Sequence, residues 1–577
     1  MKAAKSAPRK TAIRGAPVKS RWPARWPFQA AAASLALAFW AYGPALHGAF
    51  QFDDNVLPFT LPGFTAPLSA WVGGVRPILM FTYWVNARLS GSDPFSYHVV
   101  NVLFHCATSL LVFLIVRRLL EWSSAPGARG DLLAGFAAAI FLLHPVQAEA
   151  VAYLAGRSEA LSVLLVFSAF TLFLYGSKPT LSWLSTIAIL TLFGAALLAK
   201  EHTVVLPVLL LLTDYWWNPG FGFRGIRANW KLYVLISLGV AAGLKFYWGL
   251  ILYAPTAGFG MRDFTWYQYF FTQCRALFVY IGLFLFPVNL TADWDFPISQ
   301  TIFDRGAVLG LAALLAVSGV AWRYRRRVPL AAYGWFVYLV LMAPTSSILP
   351  IKDPIAERRL YFAIPGLLLV LVDLLARVRL PQKVLVPACA VAALIVAGLT
   401  RARAAVWADP VALWEDTARK SPAKTRVRFQ LGFAYYAAGR YPEAVREFEE
   451  TAQIEPPTYN LLIDWGLAYD QLNRPEEALA KLRQAALMEP TAHVYSQIAM
   501  IYGERSQWAQ ALDALALAER IEPGYAVIYA NRGVIHIKTN QPALAVDDFR
   551  LALALDPTLT DARRQLDIAQ AMLRAGQ

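Results

Sequence analysis

The sequence predicts an all-α protein in two parts, a polytopic transmembrane helical bundle of about eleven spans followed by a C-terminal α-solenoid. Three observations carry this prediction: an apolar excess confined to one region, a lopsided distribution of basic residues around it, and a strict period in the last third. Of 577 residues, 57% are hydrophobic and only 16% charged, and the mean hydropathy of +0.43 is too high for a chain that turns its whole surface to water. The excess lies between residues 27 and 404, and the composition beyond is ordinary. The chain therefore divides into a basic tail (1–26), a membrane domain (27–404) and a soluble repeat domain (405–577).

The basic tail carries Lys2, Lys5, Arg9, Lys10, Arg14, Lys19, Arg21 and Arg25 ahead of the first apolar stretch. Other basic residues sit in short loops between spans, so the net charge of +15 reads as the positive-inside pattern of a membrane protein and not as a nucleic-acid surface. The stretch from Pro27 to Phe50 is long enough to cross a bilayer and many more follow, so it reads as a retained first helix and not as a cleaved signal. Cys106, Cys274 and Cys389 lie in or beside apolar segments without paired spacing, which supports neither a disulfide framework nor a metal site.

Apolar stretches long enough to span, or nearly so, lie near 27–49, 97–116, 132–146, 158–175, 181–199, 203–217, 231–253, 306–322, 329–349, 360–376 and 384–400. Segment 265–286 carries Tyr267, Gln268, Thr272, Gln273 and Arg275 in its first half, too many for a crossing, and reads as interfacial or re-entrant. With that segment skipped and the N-terminus inside, the inside loops hold roughly twice the Lys and Arg of the outside ones, as positive-inside bias requires. Counting it as a crossing would put Arg323, Arg325, Arg326 and Arg327 on the wrong side. The odd number of spans then places the N-terminus in the cytoplasm and the repeat domain outside it, which predicts a multi-pass protein of the cytoplasmic membrane.

From about residue 410 a repeat takes over. Pro422, Pro456, Pro490, Pro523 and Pro557 recur at 34, 34, 33 and 34 residues, and Gly432, Gly466, Ala499 and Gly533 keep the same interval, as do Ala444, Ala478, Ala511 and Ala545. Small residues where two helices touch, with a proline closing each unit, are the signature of tetratricopeptide (TPR) repeats. A leading half-repeat containing Trp414 and about four full repeats are expected. Stacked hairpins create a concave groove suited to an extended peptide, and Tyr436, Tyr459, Tyr495 and Tyr529 either line it or pack between helices.

Polar residues near membrane depth are costly unless paired or used, and here they collect at the predicted outer face. Asp53 and Asp54 follow the first span. His144, Glu149, Arg157 and Glu159 flank the third and fourth, Lys200, Glu201 and His202 follow the fifth, and Glu357 and Arg358 follow the ninth. A carboxylate beside cations at a membrane boundary suits a reaction in which the acid activates a hydroxyl while the cations hold a departing phosphate. Asp53 or Asp54 is placed to be that base, and Lys200, Arg358 and Arg157 to meet the phosphate. The bland alternatives are helix capping by Asp54 or Asn55 and headgroup anchoring by the cations. A divalent ion between Asp53 and Asp54 is an option the pair leaves open. The His144 to Glu149 spacing is not that of a zinc protease helix.

The segments YHVVNVLFH (from Tyr97), LLHPVQAEAVAYLAGRSE (from Leu142), LLAKEHTVVLP (from Leu197) and IAERRLYFAIPG (from Ile355), followed by a TPR tail, resemble bacterial relatives of the transmembrane and TPR-repeat-containing protein O-mannosyltransferases. That family belongs to the GT-C class of polyprenyl-phosphate-sugar-dependent glycosyltransferases. The resemblance implies a GT-C-like bundle, a lipid-linked sugar as donor, and transfer to Ser or Thr hydroxyls of a protein held by the TPR groove. It implies a catalytic acid in the first external loop, which Asp53 or Asp54 supplies. It also implies donor-site roles for Arg76, His98, His144, Glu149, Arg157, Lys200, Glu201, Glu357, Arg358 and Tyr361, with His105 among the recurring polar positions. The family's TPR arrays are commonly longer than this one. Two other classes compete with this reading. One is a non-catalytic membrane-anchored scaffold, and the other is a lipid-linked sugar flippase, which would spread polar residues through the depth of the bundle, where Lys245 is the main candidate.

Overall fold

The computed structural model describes residues 26–60, 66–123, 127–176, 180–218, 220–253 and 256–575. The predicted basic tail therefore lies outside the described residues, apart from Trp26. No strand occurs among the described residues, whose only sheet-like pairing is an isolated antiparallel bridge between Ala257 and Ile351.

The helices run in order α1 (Trp26–Tyr42), α2 (Leu68–Trp71), α3 (Pro77–Ser90), α4 (Pro94–Ser123), α5 (Ala128–Leu143), α6 (Ala148–Ala152), α7 (Arg157–Gly176), α8 (Trp183–Leu197), α9 (Leu206–Trp217), α10 (Arg224–Ala228), α11 (Trp230–Tyr253), α12 (Trp266–Leu285), α13 (Ala307–Tyr324), α14 (Pro329–Met342), α15 (Arg359–Arg377) and α16 (Gln382–Val406). A second set follows: α17 (Pro410–Lys420), the hairpins α18 (Thr425–Ala437) with α19 (Tyr441–Ile454), α20 (Tyr459–Gln471) with α21 (Pro475–Met488), α22 (Ala492–Glu504) with α23 (Trp508–Ile521) and α24 (Ala526–Lys538) with α25 (Pro542–Leu555), and a last helix α26 (Thr560–Ala575).

All eleven predicted apolar stretches are helical, but not all at full length. Five helices are long and apolar enough to cross a membrane, and a sixth if the pair Arg129–Leu143 and Pro145–Ala152, bent by 47°, counts as one span. Helices α8 and α14 are shorter apolar helices. The chain at residues 198–205 leaves the helical path with Thr203 fully buried, and irregular backbone at such depth is tolerated when enclosed by protein. The bundle shows lipid-type surfaces. Leu309, Leu315 and Val320 on α13 are 72%, 65% and 57% exposed, apolar surface that water would not tolerate in such quantity. Helix α15 is central, and its Gly366 meets Gly334 of α14 so closely that a Cβ at Gly366 would stand 2.4 Å from the Tyr338 nitrogen. Small residues at such a crossing let two backbones approach, the usual device where no water drives helices together.

Helix α12, the doubtful segment, is an unbroken 20-residue helix and not a re-entrant hairpin. Its Tyr269 donates to Thr345 O (2.6 Å), Gln273 to Pro354 O (2.9 Å), Tyr280 to Ala356 O (3.2 Å) and Arg275 to Pro297 O (3.0 Å), while Phe284 O lies 3.0 Å from His144 Nε2. It also packs along α13, where a Cβ at Gly310 would stand 2.3 Å from Cys274 O, and Tyr338 of α14 donates to Leu277 O at 2.7 Å.

In the solenoid, the period has a steric cause. A Cβ at Gly432 or Gly533 would stand 2.5 or 2.8 Å from the rings of Phe448 and Phe549 of the partner helix, and Ala444, Ala478, Ala511 and Ala545 are all fully buried. Each hairpin turn passes through left-handed backbone, at Gly439, Asn473, Ser506 and Asn540, where residues lacking a bulky side chain are favoured. Tyr529 is buried, donates to Pro523 O at 2.8 Å, and is a packing residue. Tyr459 bonds Thr491 Oγ1 at 2.6 Å in the neighbouring repeat.

The solenoid is docked firmly on the bundle. Arg426 grips Asp293 with two bonds of 2.6 and 2.7 Å and reaches Asp353 at 2.7 Å. Lys424 also pairs with Asp293, Ser421 Oγ donates to Asp293 O (2.7 Å), and Lys420 donates to Leu290 O (2.6 Å). Arg403 at the end of α16 pairs with Asp416 of α17 at 2.8 Å.

Candidate functional site

The loops at the solenoid end bring residues from remote parts of the chain together. Three cation–carboxylate pairs form a row. Arg76 holds Glu201 with two bonds of 2.6 and 3.1 Å. Lys200 Nζ bonds Glu159 (2.5 Å) and Ser158 Oγ (3.1 Å), with His202 Nε2 3.4 Å from the other Glu159 oxygen. Arg358 pairs with Glu149, which also accepts the Arg358 backbone N–H at 2.8 Å. The row is electrostatically connected. Burial, with Arg76 and Arg358 nearby, holds Lys200 below its ordinary value although Glu159 opposes this. Burial would raise Glu201, but Arg76 prevails and brings it to about 2. Arg358 resists its burial because Glu149 favours the charge, and it is raised.

The two aspartates behave differently. Asp54 is 1% exposed, and its carboxylate accepts the Gln51 N–H (3.1 Å) and the Ala155 N–H (2.8 Å). Burial lifts it to about 7, despite those donors. It ties the first loop to the loop before α7. Asp53 is exposed, its carboxylate makes no hydrogen bond to any described residue, and its backbone N–H donates to Tyr153 Oη at 2.9 Å. Asp53 is thus the exposed member of the pair. Each Asp54 oxygen accepts one backbone donor. No group of three metal-ligating side chains gathers among the described residues.

Beside Asp53 a pocket opens between bundle and solenoid, walled by Phe52, Tyr153, Glu149 and Arg358 from one side and Trp414 and Arg426 from the other. Phe52 has φ of +51°, a left-handed conformation that costs an aromatic residue about 1–3 kcal/mol.

Several residues expected at the donor are elsewhere. Arg157 is fully buried, bonds Asn101 Oδ1 (2.9 Å), Tyr97 O (3.0 Å) and Thr82 O (3.3 Å), and lies over the Tyr83 ring at 4.5 Å. It is a strut between α3, α4 and α7. His144 is spent on Phe284 O and the Val146 N–H. His98 faces Gly48 O at 3.3 Å, 3% exposed. Tyr361, fully buried, bonds His105 Nδ1 at 3.0 Å inside the core. Their donor-site roles were implied by the resemblance, and each satisfies a polar need of the packing. Glu357 is also fully buried and accepts the Thr291 N–H at 2.5 Å. Conversely, Glu159, Tyr153, Trp414 and Arg426 belong to the site although sequence analysis gave none of them a role in it. The Lys200 pairing gives Glu159 its partner, and only docking of the solenoid reveals Trp414 and Arg426.

Burial raises Glu357 to about 8, with Arg403 opposing. The folded chain therefore holds a proton that the unfolded chain has lost above its ordinary value of 4.5, so stability falls as pH rises through that window. Thermal unfolding in detergent is expected to show this slope, and Glu357→Gln is expected to flatten it.

Fold and site define a polytopic membrane protein whose membrane domain carries a charged site capped by a docked TPR solenoid. In sequence the chain is similar to proteins named as protein O-mannosyl-transferases. It is similar to protein O-mannosyl-transferase Tmtc1 of Drosophila melanogaster, 28% identical over 327 residues, covering 50% of this chain and 37% of that protein. It is also similar to protein O-mannosyl-transferase F38B6.6 of Caenorhabditis elegans, 21% identical over 366 residues, covering 62% and 50%. The chain thus spans about half or less of the length of these relatives. A tetratricopeptide repeat model matches residues 526–559. Among solved structures, YrrB, described as a TPR protein with an unusual peptide-binding site, is 20% identical, with 27% of this chain and 80% of that one covered at a TM-score of 0.23. MamA is 17% identical, covering 26% and 89% at 0.24.

Proposed function

We propose that this protein is an inverting glycosyltransferase of the GT-C type that moves a sugar from a polyprenyl phosphate to a Ser or Thr hydroxyl of a protein. What supports this reading above all is Asp53, an exposed carboxylate whose backbone N–H meets Tyr153 and whose neighbour Phe52 lines the pocket that Arg358 also lines. The Asp53 carboxylate takes the acceptor's proton as the hydroxyl oxygen forms a bond to the anomeric carbon. The bond from that carbon to the phosphate oxygen breaks, and polyprenyl phosphate leaves with the electron pair. Arg358, Lys200 and Arg76 stabilise the growing negative charge. Their carboxylate partners keep them aimed and charged before the donor arrives, so little reorganisation remains for the reaction itself. No covalent enzyme intermediate is needed, because the phosphate already leaves well.

The relatives' names make mannose the first sugar to test. The basic loop bias supports a protein of the cytoplasmic membrane, with N-terminus inside, and with the site and solenoid on the extracytoplasmic side. The TPR groove presents the acceptor polypeptide to the donor. The test is reconstitution of the full chain in bilayers with polyprenyl-phosphate mannose and a Ser/Thr-containing peptide. A peptide gaining one hexose on a hydroxyl supports the reading. Failure with mannose and other polyprenyl-linked hexoses alike, in protein that binds the donor, would point to a carrier or scaffold.

A further inference from the structure

Phe52 adopts a backbone conformation, φ +51°, that persists in a bulky residue only where surroundings over-determine it. Three side chains hold its ring. Tyr153 lies 6.4 Å away, Trp414 meets it edge-on at 5.7 Å, and the Arg426 guanidinium stands 5.9 Å above it. Trp414 belongs to α17 and Arg426 to α18, so two of the three clamps come from the solenoid. Arg426 is itself fixed by Asp293 and Asp353 of the bundle. The peptide is tied on both sides of Phe52. Gln51 Nε2 donates to Trp407 O at 2.7 Å, and the Asp53 N–H donates to Tyr153 Oη at 2.9 Å.

We propose that the leading helices of the solenoid position the base: Phe52, Trp414 and Arg426 are positioning residues that hold the Asp53 turn in its strained form. The array is then part of the catalytic machinery as well as an arm for the acceptor, and transfer requires it docked. This rests on Asp53 being the base. The carboxylate sits one residue beyond the strained position, so a relaxed Phe52 swings it away from the pocket, and a displacement of about 1 Å costs roughly 100-fold in rate.

The full chain in bilayer discs, with polyprenyl-phosphate mannose and a Ser/Thr peptide, tests this by kinetics and by hydrogen exchange over residues 50–57. Trp414→Ala is expected to raise exchange there and to lower kcat by roughly 100-fold, with both KM values within about twofold, the pattern of a lost transition-state interaction. Trp414→Phe is expected to restore both. Phe52→Gly accepts the same φ without a ring and is expected to act like Trp414→Ala while exchange across 410–437 stays unchanged, which separates loss of the clamp from undocking of the array. Unchanged exchange over 50–57 in Trp414→Ala and Phe52→Gly overturns the proposal. So does a rise in exchange with normal kcat in a protein that Asp53→Asn inactivates, and so does an effect confined to the peptide KM. Full activity in Asp53→Asn overturns the base assignment instead, and exchange alone then decides whether the solenoid holds the turn.

Discussion

Asp53→Asn is expected to lower sugar transfer by roughly 10²–10⁴-fold, the usual contribution of a positioned general base, with folding and donor binding intact. The amide keeps the shape of the acid but cannot take the proton, and the exposed side chain has no hydrogen bond to a described residue to lose. Asp54→Asn should behave in the opposite way. An amide can accept one of the two backbone N–H groups that Asp54 now satisfies, but its NH₂ then faces the other. Leaving a buried donor unmet costs about 1–3 kcal/mol. Thermal unfolding should therefore separate the pair, with stability lost in Asp54→Asn and retained in Asp53→Asn. Loss of turnover in a normally stable Asp54→Asn protein, with Asp53→Asn active, would exchange their roles.

The Arg358–Glu149 pair should respond asymmetrically. Glu149 is 2% exposed on its side chain while Arg358 is 33% exposed. Arg358→Gln strands a buried carboxylate with a backbone N–H as its remaining donor, and breaking a buried pair in this way costs about 3–5 kcal/mol. Glu149→Gln strands only a guanidinium that can turn to water, so its stability cost should be clearly smaller. The double variant is expected to regain most of the stability lost in Arg358→Gln but not its transfer activity, because the cation that meets the phosphate is still missing. Unfolding curves on the four proteins, with donor titrations, check both halves. Equal stability losses in the two single variants would show that the pair shares its burial evenly.

Much of the architecture was legible along the chain. The prolines at 34-residue intervals and the small residues facing Phe448, Leu482 and Phe549 announce the solenoid because the constraint is local: two helices of one hairpin touch at fixed offsets. The apolar stretches announce helices for the same reason. Their lengths were less legible, since α8 and α14 stop short where the bundle itself encloses irregular backbone, which hydropathy does not register. The site was legible as a set of loops and not as a set of roles. Arg157 and Lys200 are both cations beside spans, and polarity gives no reason to separate them. Arg157 meets only carbonyls, an amide oxygen and tyrosine rings, whereas Lys200 meets Glu159.

The sequence alone determined that this chain is a helical membrane protein with a TPR tail, that its acids and cations gather at one end, and that Asp53 and Asp54 follow the first span. Those properties depend on composition and short-range spacing. Only the tertiary structure decided which aspartate is exposed, which cations stand paired with carboxylates, and that Trp414 and Arg426 close on Phe52. These depend on contacts between residues tens to hundreds of positions apart. Burial and partner, which no single residue encodes, turn one carboxylate into a buried tie and leave its neighbour exposed.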